Sequence, residues 1–447
     1  MAIEKKRLVF NFDGTWNALD APCPTNVVLT AESVLPLGSD GIAQLNYYDQ
    51  GVGTAKGEKI GGGVFGRGLT RNLATAYRNL VFNYTPGDEI FVFGFSRGAF
   101  TARSFVGLIR NCGIVRREHA GLTPRAIELY RSRRDNDKPW GERAEKFRAD
   151  FAHPLPQIAY LGVWDTVGAL GIPNYYLIAS LFNGRHQFHD QKLSPSVRSA
   201  RHALAIDETR RAFEPTLWEG FDELNAKAGK KPTDADAPYQ QKWFPGVHSA
   251  VGGGAGERGL SDQALEWIWA GARLAGLELD ASPSSRLYSL KPDFTEPLDG
   301  IDHSKLGGWA RFKSAVAYYL WRRARRDGGP TDVCHVSIAA LRRWHTPAER
   351  LAEKKLYRPS VLDGVAKVLE ADSTYKDLPP DPAPGSFDVY VVEQRDTLSK
   401  IALRRLGAAK RWREIFAMNN DKLVDPDRIY CGMTLRVPKV QNNNVSS

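Results

Sequence analysis

The chain has 447 residues, 42% of them hydrophobic and 25% charged, the proportions of an ordinary globular protein with room for one large domain and a small one. Sixty-one basic against 51 acidic residues leave a net charge of +10, which suits a peripheral anionic membrane surface; no arginine-rich tail, zinc-finger spacing or RNA-binding motif accompanies it, so nucleic acid is not expected as a partner. No stretch reaches the roughly 18 apolar residues of a membrane-crossing helix, and residues 1–7 lead into the first apolar strand without a leader-like apolar region, so synthesis and folding in the cytoplasm are expected.

In chain order, the first predicted element is a core strand at residues 8–12, followed by the loop Asp13-Gly14-Thr15. Residues 51–68 are rich in glycine but contain no G-x-x-x-x-G-K-[ST]. A helix follows only at about 69–83, too late for a dinucleotide fingerprint, so the segment reads as a loop bordering a site. Glu89-Ile90-Phe91-Val92-Phe93 is short, apolar and β-rich, and residues 99–109 carry Phe100, Ala102, Phe105, Val106 and Ile109 on one helical side. Between them lies Gly94-Phe95-Ser96-Arg97-Gly98, the G-x-S-x-G pattern of a nucleophile elbow, in its expected strand–turn–helix setting. Glycines flanking the serine remove Cβ atoms that a tight turn could not accommodate.

A nucleophilic serine needs a base and an acid that orients the base. Two further apolar runs end in such groups: residues 158–164 lead into Asp165, and residues 242–247 lead into His248 and a glycine tail. The order Ser96, Asp165, His248 is that of an α/β-hydrolase. Asp207, after Ala203-Leu204-Ala205-Ile206, remains the rival acid, with the weaker strand signal. One oxyanion-hole donor should be the backbone N–H of Arg97, and Gly14 or Thr15 should supply the second. Asp13, Thr15 and Phe95 border the expected substrate cleft, although Asp13 also has the simpler reading of a loop cap.

Several of these runs recur together in one known family. Val9-Phe10-Asn11-Phe12-Asp13-Gly14-Thr15-Trp16-Asn17, Gly51-Val52-Gly53-Thr54, Pro86-Gly87-Asp88-Glu89-Ile90, the serine motif, Val163-Trp164-Asp165-Thr166-Val167-Gly168 and Trp243-Phe244-Pro245-Gly246-Val247-His248-Ser249 appear in order. Over about residues 7–275 the chain resembles the α/β-hydrolase family that includes the phospholipase effectors of type VI secretion. The resemblance implies a serine esterase acting on lipid acyl esters, with Ser96, Asp165 and His248 as its triad and no cofactor or metal. It also implies a secretion-machine component and an immunity protein as partners, and delivery to the periplasm of target cells. Ala250 departs from the pattern, standing where an acidic residue is expected two positions after the histidine.

Residues 276–370 are expected to be mostly helical, a cap or lid on a hydrolase domain spanning 1–370. Within them Trp309, Phe312, Val316, Tyr319 and Leu320 lie at helical spacing before Arg322, Arg323, Arg325 and Arg326. A proline-rich linker occupies 371–386, a further module 387–438 and a disordered tail 439–447. The module opens with Tyr390-Val391-Val392-Glu393-Gln394-Arg395-Asp396-Thr397-Leu398 and closes with Thr434-Leu435-Arg436-Val437-Pro438. It resembles a LysM module of βααβ form, except that Arg395 stands where glycine is usual. Asp396 or Thr397 should cap the first helix. The resemblance implies binding of N-acetylglucosamine glycans such as peptidoglycan, with Asp396, Thr397 and Asn419 in the contacting loops. A docking role for the module, on a hydrolase fold without catalysis, stays open beside the enzyme reading. Cys23, Cys112, Cys334 and Cys431 lie far apart, form no C-x-x-C, and read as reduced thiols.

The expected fold is therefore α/β: an α/β-hydrolase-like, mostly parallel sheet with a helical cap, plus a small βααβ module.

Overall fold

Strands this apolar need both faces covered, and the fold covers them. The structure, a computed structural model, describes residues 5–14, 21–51, 62–167, 193–210, 213–280, 290–301, 328–371, 387–419 and 433–439, with 282, 285, 423 and 429 and without 235 and 394. Its main sheet has six parallel strands, β1 (Lys6–Phe12), β2 (Ala43–Asp49), β3 (Glu89–Phe95), β4 (Ile158–Trp164), β5 (Ala200–Ala205) and β6 (Tyr239–Phe244), in the order β2-β1-β3-β4-β5-β6.

Helices α1 (Asn26–Ser33), α2 (Gly62–Asn83), α3 (Arg97–Cys112), α4 (Thr123–Arg131), α5 (Glu142–Phe151), α6 (Phe221–Lys227), α7 (His248–Gly252) and α8 (Gly259–Leu274) accompany the sheet. Strand side chains alternate between two apolar cores, as a period of two requires. Leu8, Phe10, Ile90 and Val92 join Tyr77 of α2 and Phe105 of α3 on one face. Val9, Phe91, Phe93 and Trp164 join Leu29 of α1 and Trp269 of α8 on the other. Trp269 is fully buried and its indole N–H donates to Thr30 Oγ1 at 2.9 Å, so its one polar atom is satisfied. The strand order reverses at β1, between β2 and β3, and β1 and β3 both end at the edge where Ser96 stands; in such sheets ligands bind at that edge.

The described residues of the stretch after α8 are less helical than expected. Among the described residues of 276–370 the α-helices are α9 (Ile338–His345) and the start of α10 (Ala366–Ala371), with 3-10 turns and irregular chain between. Pro292, Pro297, Pro330, Pro347 and Pro359 interrupt it, each lacking the N–H a helix interior needs. Val336, Trp344, Leu351 and Leu362 bury their side chains with Leu204, Ile206 and Trp243, so the segment covers the β6 edge of the sheet. The aromatic run 309–326 lies outside the described residues.

A second, two-stranded antiparallel sheet pairs β7 (Phe387–Val391) with β8 (Thr434–Pro438) around α11 (Leu398–Leu406) and α12 (Trp412–Met418). It has a core of its own, including Tyr390, Ile401, Ile415 and Leu435. Thr397 caps α11, its hydroxyl accepting the Lys400 N–H at 3.2 Å, and Gly407 ends the helix in the left-handed region at φ 79°. Arg395 adopts φ 68°. The chain thus keeps a glycine-like turn with a residue that is strained in it.

Candidate active site

Three strand ends build the site. After β3 the backbone turns sharply into α3, and Ser96 sits in the turn at φ 59°, ψ −122°, a conformation rarely adopted by a residue with a side chain. Its N–H donates to the Trp164 carbonyl at 3.0 Å, tying the turn to the end of β4. The close approach explains the flanking glycines. A Cβ on Gly98 would lie 2.1 Å from the Phe12 carbonyl oxygen, and one on Gly94 would lie 2.6 Å from the Gly98 oxygen. The elbow is therefore pressed against the end of β1.

Asp165 follows β4 with φ 35° and is fully buried. One carboxylate oxygen accepts the Ala205 N–H at 3.0 Å, and the other lies 2.6 Å from His248 Nδ1. His248 begins α7 beyond β6, with its Nε2 2.7 Å from Ser96 Oγ. The carboxylate fixes the tautomer: Nδ1 carries the proton and donates to Asp165, leaving the Nε2 lone pair facing the serine. This arrangement can take the hydroxyl proton as Ser96 attacks an electrophile and can stabilise the imidazolium that results.

Further groups, one of them the Phe95 expected to border the substrate cleft and the rest missed by sequence reasoning, hold His248 in place. Its ring lies against Phe95 and Phe213, with centroids 4.6 Å away in both cases. A Cβ on Gly252 would come within 1.9 Å of the Phe95 ring, so the glycine after the histidine makes room for that ring. Glu208 Oε2 accepts the His248 backbone N–H at 3.2 Å and is itself gripped by the Arg210 Nε and Nη2 at 2.8 and 2.6 Å. The Arg210 guanidinium lies 4.0 Å above the Phe213 ring. Burial pushes the Glu208 carboxyl up, but the hydrogen bonds and charge of Arg210 and the charge of His248 outweigh it and leave the group below its ordinary value. A carboxylate near the histidine thus comes from the loop after β5, where Ala250 offers none. The available signal was a second acid, Glu208, directly after Asp207 at a strand end.

Asp207 points elsewhere. Its Oδ2 accepts the Gly246 N–H at 2.7 Å and the Tyr357 hydroxyl at 2.8 Å, and burial pushes the carboxyl up to about 6. Arg97 opens α3, and burial lowers its guanidinium to about 10. Gly14 donates its N–H to Asp13 Oδ1 at 2.6 Å, while Asp13 Oδ2 accepts from Thr25 and Tyr48 hydroxyls at 2.7 and 2.9 Å. Asp13 is accordingly a buried brace for its loop; Thr15 lies outside the described residues.

In the second sheet, Asp396 accepts from the Tyr390 hydroxyl at 2.7 Å and the Glu393 N–H at 2.9 Å and pairs with Arg404. Asn419 is fully buried, donating to the Ile415 and Arg436 carbonyls at 2.7 Å and accepting the Arg436 N–H at 2.7 Å. Both side chains are used in holding the module together. Thr397, read as a glycan contact as well as a cap, is exposed. Among the described residues no three His, Cys, Asp or Glu side chains gather to hold a metal ion.

Residues 6–271 match the family described as "T6SS, Phospholipase effector Tle1-like, catalytic domain", and residues 390–438 match the LysM domain. An uncharacterized protein of Saccharomyces cerevisiae is 26% identical over 230 residues, covering 47% of this chain and 32% of that protein. The potassium binding protein Kbp of Escherichia coli is 34% identical over 92 residues, covering 21% of this chain and 58% of its own length. The chain thus spans about a third of the first curated relative and somewhat over half of the second. Among solved structures, the Tle1 effector bound to the VgrG spike of the Type 6 secretion system matches with a TM-score of 0.33 and 22% identity, over 56% of this chain and 51% of that one.

Proposed function

We infer that this chain, which belongs to the Tle1-like phospholipase effector family of type VI secretion and carries a LysM domain, is a serine hydrolase of phospholipid acyl esters. The observation that carries the reading is the unbroken relay from Asp165 to His248 at 2.6 Å and from His248 to Ser96 at 2.7 Å. In the mechanism it supports, Ser96 Oγ attacks the ester carbonyl carbon while His248 Nε2 takes its proton. The Arg97 N–H stabilises the resulting oxyanion, strengthened by the positive end of α3. His248 then protonates the leaving alcohol, and an acyl-serine remains. Water, deprotonated by the same nitrogen, releases the fatty acid and restores Ser96.

The second oxyanion donor is assigned to Gly14 or Thr15, in the loop after β1. Gly14 serves only if its hydrogen bond to Asp13 opens on substrate binding. The proposed setting is an antibacterial effector delivered to the periplasm of target cells, with a spike component and an immunity protein as partners. The LysM domain would bind peptidoglycan there and hold the enzyme near the membrane, raising local substrate concentration without altering the chemistry. Since Asp396 and Asn419 serve the module's own structure, exposed backbone and Thr397 are the proposed glycan contacts.

The test is fatty-acid release from phosphatidylethanolamine and phosphatidylglycerol vesicles by the wild type and by Ser96→Ala. Release should fall by roughly 10⁴-fold in the variant, with the fold unchanged. No release by either protein would favour the non-catalytic docking role, and equal release by both would remove Ser96 from the mechanism.

A further inference from the structure

Outside the active site, a groove of 1740 Å³ lies on the helical layer built by α2, α4 and α5. It is bordered by eight basic side chains, seven of them arginine, and three acidic ones, an excess of five positive charges out of the chain's net +10. Two of the three acids are already neutralised locally: Asp137 pairs with Arg143 at 2.9 Å and Asp150 with Lys146 at 3.6 Å. Arg131, Arg133 and Arg134 are exposed and make no ion pair among the described residues. Arg125 lies over the Phe147 and Phe151 rings, at 5.8 and 5.7 Å from their centroids, and Arg78 donates to Thr75 at 3.4 Å. Like charges gathered around one hollow repel each other, and with Arg131, Arg133 and Arg134 exposed at its border their natural counterpart is an anionic occupant.

Size and charge favour an extended anionic occupant. Pockets for small molecules measure about 300–1,000 Å³, and this groove is larger. Arginine forks engage carboxylates, as they do phosphates, through paired hydrogen bonds. A bilayer is the other anionic candidate, but a planar surface cannot follow a hollow sunk between helices, whereas a polypeptide segment can. It runs from Thr70 and Arg71, beside the Asn72 that donates to Asp49 at the end of β2, to Gly121 and Phe151 beyond the end of α3 opposite Ser96. Sixteen helical residues, roughly 24 Å, separate the two ends of α3.

We propose that this groove docks an acidic polypeptide segment of a partner protein, amphipathic in character. Its carboxylates meet Arg78 of α2 and Arg131, Arg133 and Arg134 at the end of α4, and its apolar side rests on Pro124 and Phe151. Recognition here is independent of the Ser96 chemistry.

The experiment titrates full-length protein with a fluorescein-labelled synthetic peptide bearing Glu and Leu on opposite helical faces, alongside phosphatidylglycerol vesicles. The peptide should bind, with affinity falling as salt rises. Combining Arg131→Glu, Arg133→Glu and Arg134→Glu should weaken peptide binding at least tenfold while leaving vesicle binding and turnover of a soluble ester unchanged. Arg78→Glu, on a different helix, should weaken it independently, so a folding defect in one variant does not decide the matter. Arg350→Glu, outside the groove, should have no effect. The proposal is overturned if the peptide does not bind the wild type, if its affinity ignores both groove variants, or if Arg350→Glu matches their loss. It is equally overturned if the triple variant loses vesicle binding, which would make the groove a lipid surface.

Discussion

At the scale of single residues, the site is defined by how tightly one imidazole is held. Asp165 holds Nδ1, Glu208 holds the backbone N–H, and Phe95 and Phe213 flank the ring. Asp165→Asn should leave the fold intact yet lower kcat by about 10⁴-fold, because the amide favours the wrong tautomer and no longer supports the imidazolium. Asp207→Asn should change kcat little, since its partners are Gly246 and Tyr357 and not His248; steady-state kinetics of both variants ranks them. Glu208 makes a prediction in pH. Its folded value lies below the unfolded one, so its contribution to stability is present above the ordinary glutamate value of 4.5 and is lost as pH falls through the folded value. Glu208→Gln should therefore melt lower than wild type at pH 7, and the gap should narrow as pH is taken below about 4.5. Calorimetry that shows a constant gap across that window would deny Glu208 its charged role.

At the scale of elements, the turn into α3 and the turn into α11 are the points of strain. Gly98→Ala places a methyl against the Phe12 carbonyl, an overlap that neither backbone can relieve cheaply, and should cost several kcal/mol or prevent folding. Arg395→Gly should do the reverse. Releasing φ 68° recovers part of the roughly 1–2 kcal/mol of left-handed strain, offset by glycine's greater unfolded entropy, so the second module should gain up to about 1 kcal/mol in thermal unfolding. What was legible in the sequence follows from periodicity. Ser96, Asp165 and His248 each terminate an apolar run, and the structure brings these three together. Phe213 and Arg210 were not legible, because they come from an irregular loop whose position depends on tertiary packing. Asp396 and Asn419 read as loop polar groups open to a ligand. They turn inward because the module's short turns leave backbone groups that only nearby side chains can satisfy. Among its described residues the proline-broken stretch after α8 shows little helix, since apolar residues without regular spacing still pack on the β6 edge.

At the scale of the whole molecule, the LysM domain has its own apolar core, with no residue shared with the cores of the main sheet. Arg273 of α8 donates to Thr434 of β8 at 3.3 Å, a polar contact of small energy between the two. A chain ending near Pro384 should hydrolyse soluble esters as well as the full chain and lose binding to peptidoglycan sacculi in a pelleting assay. Inactivity of that truncation on soluble esters would mean that the LysM domain supports the catalytic fold.

The central claim is that Ser96 is the nucleophile, and the most direct measurement is covalent. The native protein is treated with a fluorophosphonate, and the modified peptide is mapped by mass spectrometry. One phosphonyl adduct is predicted, on Ser96, abolished in Ser96→Ala and strongly slowed in His248→Ala, where the base is gone. Labelling at another residue, or no labelling of a folded protein whose Ser96 and His248 stand 2.7 Å apart, would contradict it.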